Sequence, residues 1–275
     1  MNKPIEGNSD NVRQILSLSG GKDSSALAIY MRDRIPNVEY AFCDTGEELP
    51  ETYDYLEKLE AYLGKSIVRL NPDRQFSHYL DIFNGVLPDA NTRWCTRMLK
   101  IKPFERFVGN DKVKSYVGIR ADESHRKGYI SSKPNITAKY PFIEDGIIKE
   151  DVLDILKDIG IGLPAYYNWR SRSGCYFCFF QQRIEWVGLY NNHPELFAKA
   201  LAYEKKNQVT GERYTWIERE SLKELVKPER IVKIKEDFAR RSEFRKSHKS
   251  NARLTEVFCD DEDDETERAC LICSL

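Results

Sequence analysis

The chain of 275 residues contains no long hydrophobic run and has no surplus of charge of either sign. No window approaches the roughly 18 consecutive apolar residues that a membrane-spanning helix needs. The first residues, MNKPIEGNSDN, are polar and lack the apolar stretch of a secretory signal peptide. We therefore expect a cytoplasmic protein without a membrane partner.

The near-zero net charge gives no general affinity for polyanions, because 43 basic residues oppose 44 acidic ones. The distribution is nevertheless uneven along the chain. The segment from Arg230 to Arg253 carries nine basic and three acidic residues, and the acidic run DDEDDETE begins at Asp260. The net charge therefore does not exclude a nucleic-acid partner.

The composition is that of a folded protein, since 41% of the residues are hydrophobic and 12% are aromatic. No internal repeat is visible. Apolar runs alternate with helical patterns, which predicts an α/β fold with a parallel sheet covered by helices on both faces. The predicted strands are Arg13–Leu18, Val38–Cys43, Ile67–Leu70 and Ser115–Ile119. The predicted helices are Ser24–Tyr30, Pro50–Leu63, Trp94–Phe107 and one that is capped by Asp151 and stopped by Gly160 and Gly162.

The strand signals fade after about residue 180. Pro194 suits the first position of a helix, and the charged remainder is predicted to be mainly helical up to about Arg253. We therefore divide the chain into residues 1–180, a helical basic region at 181–253, and an acidic tail at 254–275 that ends in a C-x-x-C pair.

The segment Ser19-Gly20-Gly21-Lys22-Asp23-Ser24 lies between the first strand and the first helix, at the carboxyl edge of the predicted sheet. Two glycines permit a sharp turn, and the start of a helix offers unpaired amides and a positive dipole end. Lys22 adds a charge, and two serines add hydroxyl donors. The G-x-x-x-x-G-K-[ST] spacing of a Walker A loop is absent. We predict a different phosphate-binding loop; the alternative is an ordinary glycine-rich turn.

This loop resembles the PP-loop of the ATP pyrophosphatases, also called adenine-nucleotide α-hydrolases. Four further segments resemble, in order, motifs of the PAPS (phosphoadenosine phosphosulfate) reductase branch of that superfamily. They are Asp44-Thr45-Gly46 with Pro50-Glu51-Thr52-Tyr53, Arg93-Trp94-Cys95 with Lys100 and Pro103, Gly118 to Ser124 as G-x-R-x-x-E-S, and Arg172-Ser173-Gly174-Cys175-x-x-Cys178. The resemblance spans about residues 13 to 180 and extends to DNA phosphorothioation proteins of the DndC and SspD type and to tRNA thiolases.

The resemblance implies a five-stranded parallel sheet, with residues 1–180 as a nucleotide-binding domain that holds ATP. It also implies reaction at the α-phosphorus with pyrophosphate leaving, and charge stabilisation there would come from Lys22, the loop amides and Mg²⁺. The expected catalytic residues are Lys22, Asp23 and Arg120. The expected nucleotide-binding residues are Ser19, Gly20, Gly21, Lys22, Asp23, Ser24, Asp44, Thr45, Gly46, Gly118 and Arg120. Asp44 and Glu47 are candidates to hold metal or ribose, but for Glu47 we favour the alternative, a solvated charge before a helix.

Seven cysteines in a reducing compartment indicate metal or thiol chemistry rather than disulfides. The candidate metal ligands are Cys95, Cys175, Cys178, Cys270 and Cys273. Each C-x-x-C pair provides half of a tetrahedral site, and the spacing does not choose the metal. The resemblance favours a [4Fe–4S] cluster over zinc. Its reductases carry tandem cysteines, but Thr96 follows Cys95 here, so the terminal pair would complete the cluster or one iron would stay open.

Two alternatives for the terminal pair remain: a swinging thiol carrier and an unstructured end. Cys43 follows an apolar strand and is expected in the core.

The leading hypothesis is an ATP-dependent sulfur-transfer enzyme that adenylates a nucleic acid, with DNA phosphorothioation first and tRNA thiolation as an alternative. A cysteine desulfurase partner would supply the sulfur, and a homodimer is left open. Two sets of basic residues would contact phosphates, unless each is only a solvated helix face. They are the run from Arg230 to Arg253 and the cluster Arg93, Arg97, Lys100, Lys102 and Arg106.

Two other functions remain open. An APS or PAPS reductase fits the DTG and PETY segments, but the chain lacks the C-terminal Glu-Cys-Gly segment and the tandem cysteines of those reductases. A non-enzymatic nucleotide-binding scaffold is the third hypothesis, and the complete SGGKDS loop argues against it.

Overall fold

The computed structural model describes residues 12–123, 133–206 and 213–247. Its main sheet contains five parallel strands, β1 (Arg13–Leu18), β2 (Val38–Phe42), β3 (Ile67–Arg69), β4 (Val113–Tyr116) and β5 (Ile136–Lys139). Their order across the sheet is β3–β2–β1–β4–β5. The order reverses between β1 and β4, and open α/β sheets bind their ligands at such a switch point, beyond the carboxyl ends of the strands.

Helices cover the sheet and form most of the C-terminal region, which confirms the predicted fold class. They are α1 (Lys22–Met31), α2 (Pro50–Leu63), α3 (Phe76–Ile82), α4 (Trp94–Thr96), α5 (Lys102–Val108), α6 (Pro141–Glu144), α7 (Lys149–Asp158), α8 (Arg183–Asn192), α9 (Pro194–Tyr203), α10 (Leu222–Leu225) and α11 (Pro228–Ser247). A short hairpin, β6 (Lys205–Lys206) with β7 (Arg213–Tyr214), is added to this helical region. In the described ranges no helix is long and apolar enough to cross a membrane.

Successive side chains of the strands face opposite sides of the sheet, because the side-chain period of a strand is two residues. Leu16 and Leu18 of β1 pack into the cluster that includes residues of α1, α2 and α7. Ile15 packs into a separate cluster with Phe104 and Val108 of α5. Both faces of the sheet are therefore covered, as the near-continuous apolar strands predict.

A third cluster joins the C-terminal helices to the carboxyl edge of the sheet, and it is rich in aromatic rings. Phe76 is central, with its ring centroid 4.2 Å from that of Phe177 and 5.0 Å from that of Trp94. Trp186 of α8 and Trp216 belong to the same cluster. This core draws residues from both sides of position 180, where the sequence predicts a boundary.

Several predicted bounds differ from those of the structure. The predicted helix Trp94–Phe107 contains a π-helical turn at Arg97–Ile101 between α4 and α5. Pro103 has no N–H group for a regular helical hydrogen bond, which accounts for irregular pairing at this point. The last strand predicted, Ser115–Ile119, ends at Tyr116 in β4, so the next residues form a connection.

Asp151 does not cap α7 but lies in its first turn, where its carboxylate accepts a hydrogen bond from the Ile148 amide at 2.8 Å. The sequence patterns also missed β5 and α3, whereas α8 lies in the region predicted to be mainly helical. The edge strand β5 has half-exposed residues on both faces, so its sequence shows no clear alternation.

Candidate active site

The phosphate-binding loop predicted at residues 19–24 connects β1 to α1, and its two glycines are required by close contacts. Gly20 has φ +70°, and a Cβ atom there would lie 2.6 Å from Cγ2 of Thr52. A Cβ atom on Gly21 would lie 2.6 Å from Oγ of Ser173. Helix α2 and the segment around residue 173 therefore close on the loop so tightly that side chains are excluded.

Hydroxyl groups hold the loop in shape. Ser24 Oγ accepts a hydrogen bond from the Ser19 amide at 3.1 Å and lies 3.0 Å from Ser19 Oγ. Ser19 Oγ also accepts hydrogen bonds from the Gly21 amide at 3.3 Å and from Ser173 Oγ at 3.1 Å. The two predicted serine donors thus stabilise the turn itself.

Two stacked tyrosines lie under the loop. Tyr166 donates a hydrogen bond to the Gly20 carbonyl at 2.7 Å, and the Lys22 amide donates to the Tyr167 hydroxyl at 3.1 Å. Burial raises the pKa of Tyr167 above its ordinary value, so this hydroxyl remains protonated. An anion that binds the first turn of α1 competes with this hydroxyl for the amide of Lys22.

The structure brings the three predicted catalytic residues together. The Asp23 carboxylate lies between two cations, 2.6 Å from Lys22 Nζ and 2.7 Å from Arg120 Nη1. Arg120 is 6% exposed and also contacts Asp122 at 2.9 Å and Glu123 at 3.0 Å. Burial alone would lower the pKa of Arg120, but the hydrogen bonds and charges of Asp122 and Asp23 raise it. Arg120 is therefore a fixed positive charge beside the loop.

Gly118 allows Arg120 to lie beside Asp23. A Cβ atom at this position would lie 3.0 Å from the Asp23 carbonyl oxygen and 3.2 Å from the Ser24 nitrogen. Because those atoms are backbone, they have little freedom to move away. The chain after β4 can consequently pack against the start of α1 and place Arg120 beside Asp23 across the switch point.

The predicted Asp44-Thr45-Gly46 segment follows β2. Asp44 Oδ1 accepts hydrogen bonds from Tyr53 at 2.8 Å and from the Gly46 amide at 3.0 Å. Thr45 is buried, donates to Glu48 Oε1 at 3.0 Å, and lies 3.3 Å from Cys175 Sγ. Asp44 therefore forms the turn after β2, whereas Thr45 connects that turn to a cysteine.

The expectation that Glu47 is solvated is wrong. Glu47 is buried, and its carboxylate lies 2.7 Å from Nζ of Lys199 in α9. Its carbonyl accepts a hydrogen bond from the Tyr176 amide at 2.8 Å. The C-terminal helices and the segment around Cys175 cover this position, and neither is close to it in sequence.

Three of the candidate metal ligands line one apolar cavity of about 40 Å³. They are Cys95, Cys175 and Cys178, and Lys100 and Thr45 lie in the same wall. Burial, with the nearby Glu48 carboxylate, raises the pKa of the Cys175 thiol well above its ordinary value. Within the part of the chain that the structure describes, no three His, Cys, Asp or Glu side chains are arranged to hold a metal ion.

Cys270 and Cys273 lie outside the described residues. Cys43 is in the core as predicted, 3% exposed, and burial raises its pKa to about 12.

One segment connects the phosphate loop to the thiol cavity. Ser173 contacts Ser19 of the loop, and Cys175, two residues further on, lines the cavity. The buried Arg170 holds this segment by donating to the carbonyls of Gly174 at 3.0 Å and Cys175 at 2.9 Å. The two predicted reaction centres are therefore neighbours.

The predicted basic cluster is dispersed. Arg93 lies over the Phe180 ring at 5.4 Å, Lys100 lines the thiol cavity, and Arg106 is bound to Asp73 at 2.7 Å. Arg97 and Lys102 are exposed. In the later basic run, Arg230 pairs with Glu220 and Arg240 with Asp237, while Lys249, Arg253 and the acidic run lie outside the described residues.

Five residues of the site were not predicted from the sequence. Tyr166, Tyr167 and Ser173 contact the loop, and Glu48 and Lys100 lie beside the thiols. Ser173 and Lys100 lie inside the family motifs described above, and this position could have identified both as site residues. The tyrosine pair and Glu48 carry no local pattern, because their role depends on what packs against them.

The chain is similar to several known proteins. Residues 13–135 match the family described as phosphoadenosine phosphosulfate reductase domain. An uncharacterized protein of Methanocaldococcus jannaschii is 30% identical over 194 residues, which are 66% of this chain and 45% of that protein. An adenosine 5′-phosphosulfate reductase of Staphylococcus haemolyticus is 29% identical over 111 residues, 40% of this chain and 45% of that enzyme. This chain thus spans less than half of either relative's length.

Two solved structures are also similar. One is the PAPS reductase of Candida auris, with TM-score 0.48 and 15% identity over 60% of this chain and 82% of that one. The other is the U34-tRNA thiolase of Methanococcus maripaludis with its [4Fe–4S] cluster, with TM-score 0.41 and 16% identity over 69% of each chain. The family match over residues 13–135 and the similarity to the reductase relative confirm the resemblance to PAPS reductases that the motifs show.

Proposed function

We propose that this protein is an ATP-dependent sulfur-transfer enzyme that adenylates a nucleic acid, with DNA phosphorothioation as the first candidate reaction. The observation that carries the proposal is the wall shared by the phosphate loop and the thiol cavity. Ser173 bonds to the loop, and Cys175 faces the cavity. An activated acceptor and a sulfur-bearing thiol can therefore meet without leaving the protein.

In the first step, ATP binds with its phosphates at residues 19–24. An oxygen of the acceptor attacks the α-phosphorus, the bond from that phosphorus to the pyrophosphate oxygen breaks, and pyrophosphate leaves. Lys22 and Arg120 stabilise the negative charge that develops. The carboxylates of Asp23 and Asp44, both at this edge of the sheet, are the oxygen ligands that Mg²⁺ prefers. Bound there, Mg²⁺ would offset the charge of the departing pyrophosphate.

In the second step, a cysteine desulfurase supplies sulfur as a persulfide. The terminal sulfur attacks the adenylated centre, and AMP leaves with the acceptor oxygen. A second thiol then cleaves the S–S bond, so the sulfur stays on the acceptor and the two thiols become a disulfide. Cys95, Cys175 and Cys178, which line one cavity, are the candidate thiols.

The same thiols are the donor type of a [4Fe–4S] cluster, which we propose over zinc, with Cys270 and Cys273 as further ligands. Their arrangement in the described residues does not form a metal site. The reaction written above therefore uses no step at a cluster.

An APS or PAPS reductase is the second candidate, and the match to the Staphylococcus haemolyticus enzyme favours it. Thr96 follows Cys95 where those reductases carry tandem cysteines, and this departure argues against it. A test that separates the two uses pure protein with ATP and Mg²⁺, with and without DNA or tRNA, followed by measurement of AMP and pyrophosphate. We expect both products. Sulfite formation from APS or PAPS with thioredoxin, and no ATP turnover, would show the reductase instead.

Cys175 provides a test of the thiol cavity. We expect Cys175→Ala to lose sulfur incorporation by at least about 100-fold, because removal of a member of a covalent relay has effects of this order. The measurement is ³⁵S transfer to the acceptor, together with the iron content of anaerobically purified protein. Cys43→Ala is the matched control, since Cys43 is buried but lies outside the cavity. Equal sulfur incorporation by both variants would contradict the assignment.

A further inference from the structure

A second, larger cleft lies beyond the carboxyl ends of β2 and β3. Its volume is about 490 Å³, within the range of small-molecule sites. It is lined by residues 44–46 after β2 and by residues 71–75, 77 and 78 after β3. None of the loop residues 19–24 contributes to this lining. The cleft is therefore separate from the phosphate loop, although Asp44 borders it.

The lining combines uncharged polar side chains with charged ones of both signs, which suits a polar ligand such as a nucleoside. Asn71, Gln75 and Ser77 offer amide and hydroxyl groups that can both donate and accept hydrogen bonds, as the edges of nucleobases require. Asp44 and Asp73 place two carboxylates in the wall, and Arg74 and His78 add basic groups, so the wall does not favour one sign of charge.

The cleft lies close to the proposed reaction centre at the loop. Neighbouring strands lie about 4.8 Å apart, so the end of β3 is about 10 Å from the end of β1, where the loop begins. The wall residue Asp73 is bound to Arg106 of α5, and Lys102 precedes Arg106 by four residues, which places both on one helix face. The exposed Lys102 therefore lies on the helix face beside the cleft, next to the Arg106–Asp73 ion pair.

We propose that this cleft holds a nucleoside of the acceptor strand, next to the phosphate or base that reacts at the loop. The inference rests on the proposed function and names how its acceptor is recognised. The base forms hydrogen bonds with the side-chain amides of Asn71 and Gln75, and flanking phosphates contact Arg74 in the wall and Lys102 on the neighbouring helix. The adenosine of ATP is the competing occupant, because Asp44, Thr45 and Gly46, which the resemblance assigns to the nucleotide, border the cleft.

The test compares two cleft variants of the full chain, the double variant Asn71→Ala with Gln75→Ala and the space-filling Ser77→Trp. All three positions are exposed, so melting temperatures should not change. Asn110→Ala is the matched control, because Asn110 is an exposed asparagine near the opposite edge of the sheet. Binding of fluorescent single-stranded DNA and of tRNA is measured by anisotropy, and binding of ATP with Mg²⁺ by calorimetry.

We expect both cleft variants to weaken binding of the preferred nucleic acid by about ten-fold, as loss of a base contact does. Their ATP affinity and all properties of the control should stay unchanged, and the better-bound probe distinguishes DNA from RNA. Weaker ATP binding with unchanged nucleic-acid binding would place ATP adenosine in the cleft and overturn the inference. No change in either would show that the cleft holds no nucleoside. If the unmodified protein binds neither nucleic acid, the proposed function itself fails.

Discussion

Replacement of Lys22 by alanine is expected to reduce pyrophosphate release from ATP by about 100- to 1000-fold, the usual cost of removing one group that stabilises developing charge. Lys22 Nζ lies 2.6 Å from Asp23, so in the structure its charge is held at the loop by a carboxylate. Triphosphate binding brings a stronger anion to the same place, and the mobile lysine side chain can follow it. The measurement is the steady-state rate of pyrophosphate formation with Mg²⁺ and acceptor.

The matched control is Lys58→Ala, since Lys58 is an exposed lysine on α2. We expect the control to retain full activity and both variants to keep the melting temperature of the unmodified protein. The loop shape depends on glycine, serine and tyrosine contacts rather than on the Lys22 side chain. Unchanged pyrophosphate release by Lys22→Ala would refute the assignment of the loop.

Replacement of Arg120 by alanine should affect folding as well as activity. Arg120 is buried and lies within 3.0 Å of Asp23, Asp122 and Glu123, so its removal leaves three carboxylates without their shared cation. Breaking a buried ion pair costs about 3–5 kcal/mol, and partial exposure of the acids reduces this to about 2–4 kcal/mol here. Urea unfolding at pH 7 measures the loss. Arg120→Lys should recover part of it, because it restores charge but not the fork of donors.

The pH dependence has a defined sign. Burial would raise the pKa of Asp122, but its hydrogen bond from Arg120 and the Arg120 charge lower the pKa below its ordinary value. The stabilisation is therefore present above the unfolded pKa of about 3.9 and is lost as pH falls through the lower folded pKa. The stability difference between the unmodified protein and Arg120→Ala should accordingly shrink below about pH 4. A difference that is constant from pH 7 to pH 3 would contradict a role of these carboxylates.

The elements predicted best from sequence are those whose signals are local. The bounds of β1 and of α2 agree with the prediction at both ends, because each combines a clear periodicity with a defined start or stop, such as Pro50 and Gly64 for α2. β5 and α3 were missed because β5 is half-exposed and α3 spans only seven residues. In neither case can the local hydrophobic pattern be distinguished from that of a loop.

The site was only partly accessible to sequence reasoning. The chemistry predicted for residues 19–24 depends on six consecutive residues, whereas the partner of Asp23 is Arg120, 97 positions away. Glu47 shows what sequence reasoning cannot predict. Its neighbours in sequence indicate a solvated charge, but in the structure α9 covers it and Lys199 pairs with it. Burial and ion pairing are properties of packing, so a sequence window cannot report them.

The sequence by itself determined the class of fold and the PAPS reductase-like resemblance, and it predicted the phosphate loop, because strand period, turn chemistry and motif spacing depend on residues that are close in sequence. Only the tertiary structure decided which distant groups meet. It brought Arg120 to Asp23, placed three cysteines around one cavity and joined that cavity to the loop through Ser173 and Cys175. Those contacts depend on the order of the strands and on the aromatic core, through which the C-terminal helices pack against the edge of the sheet.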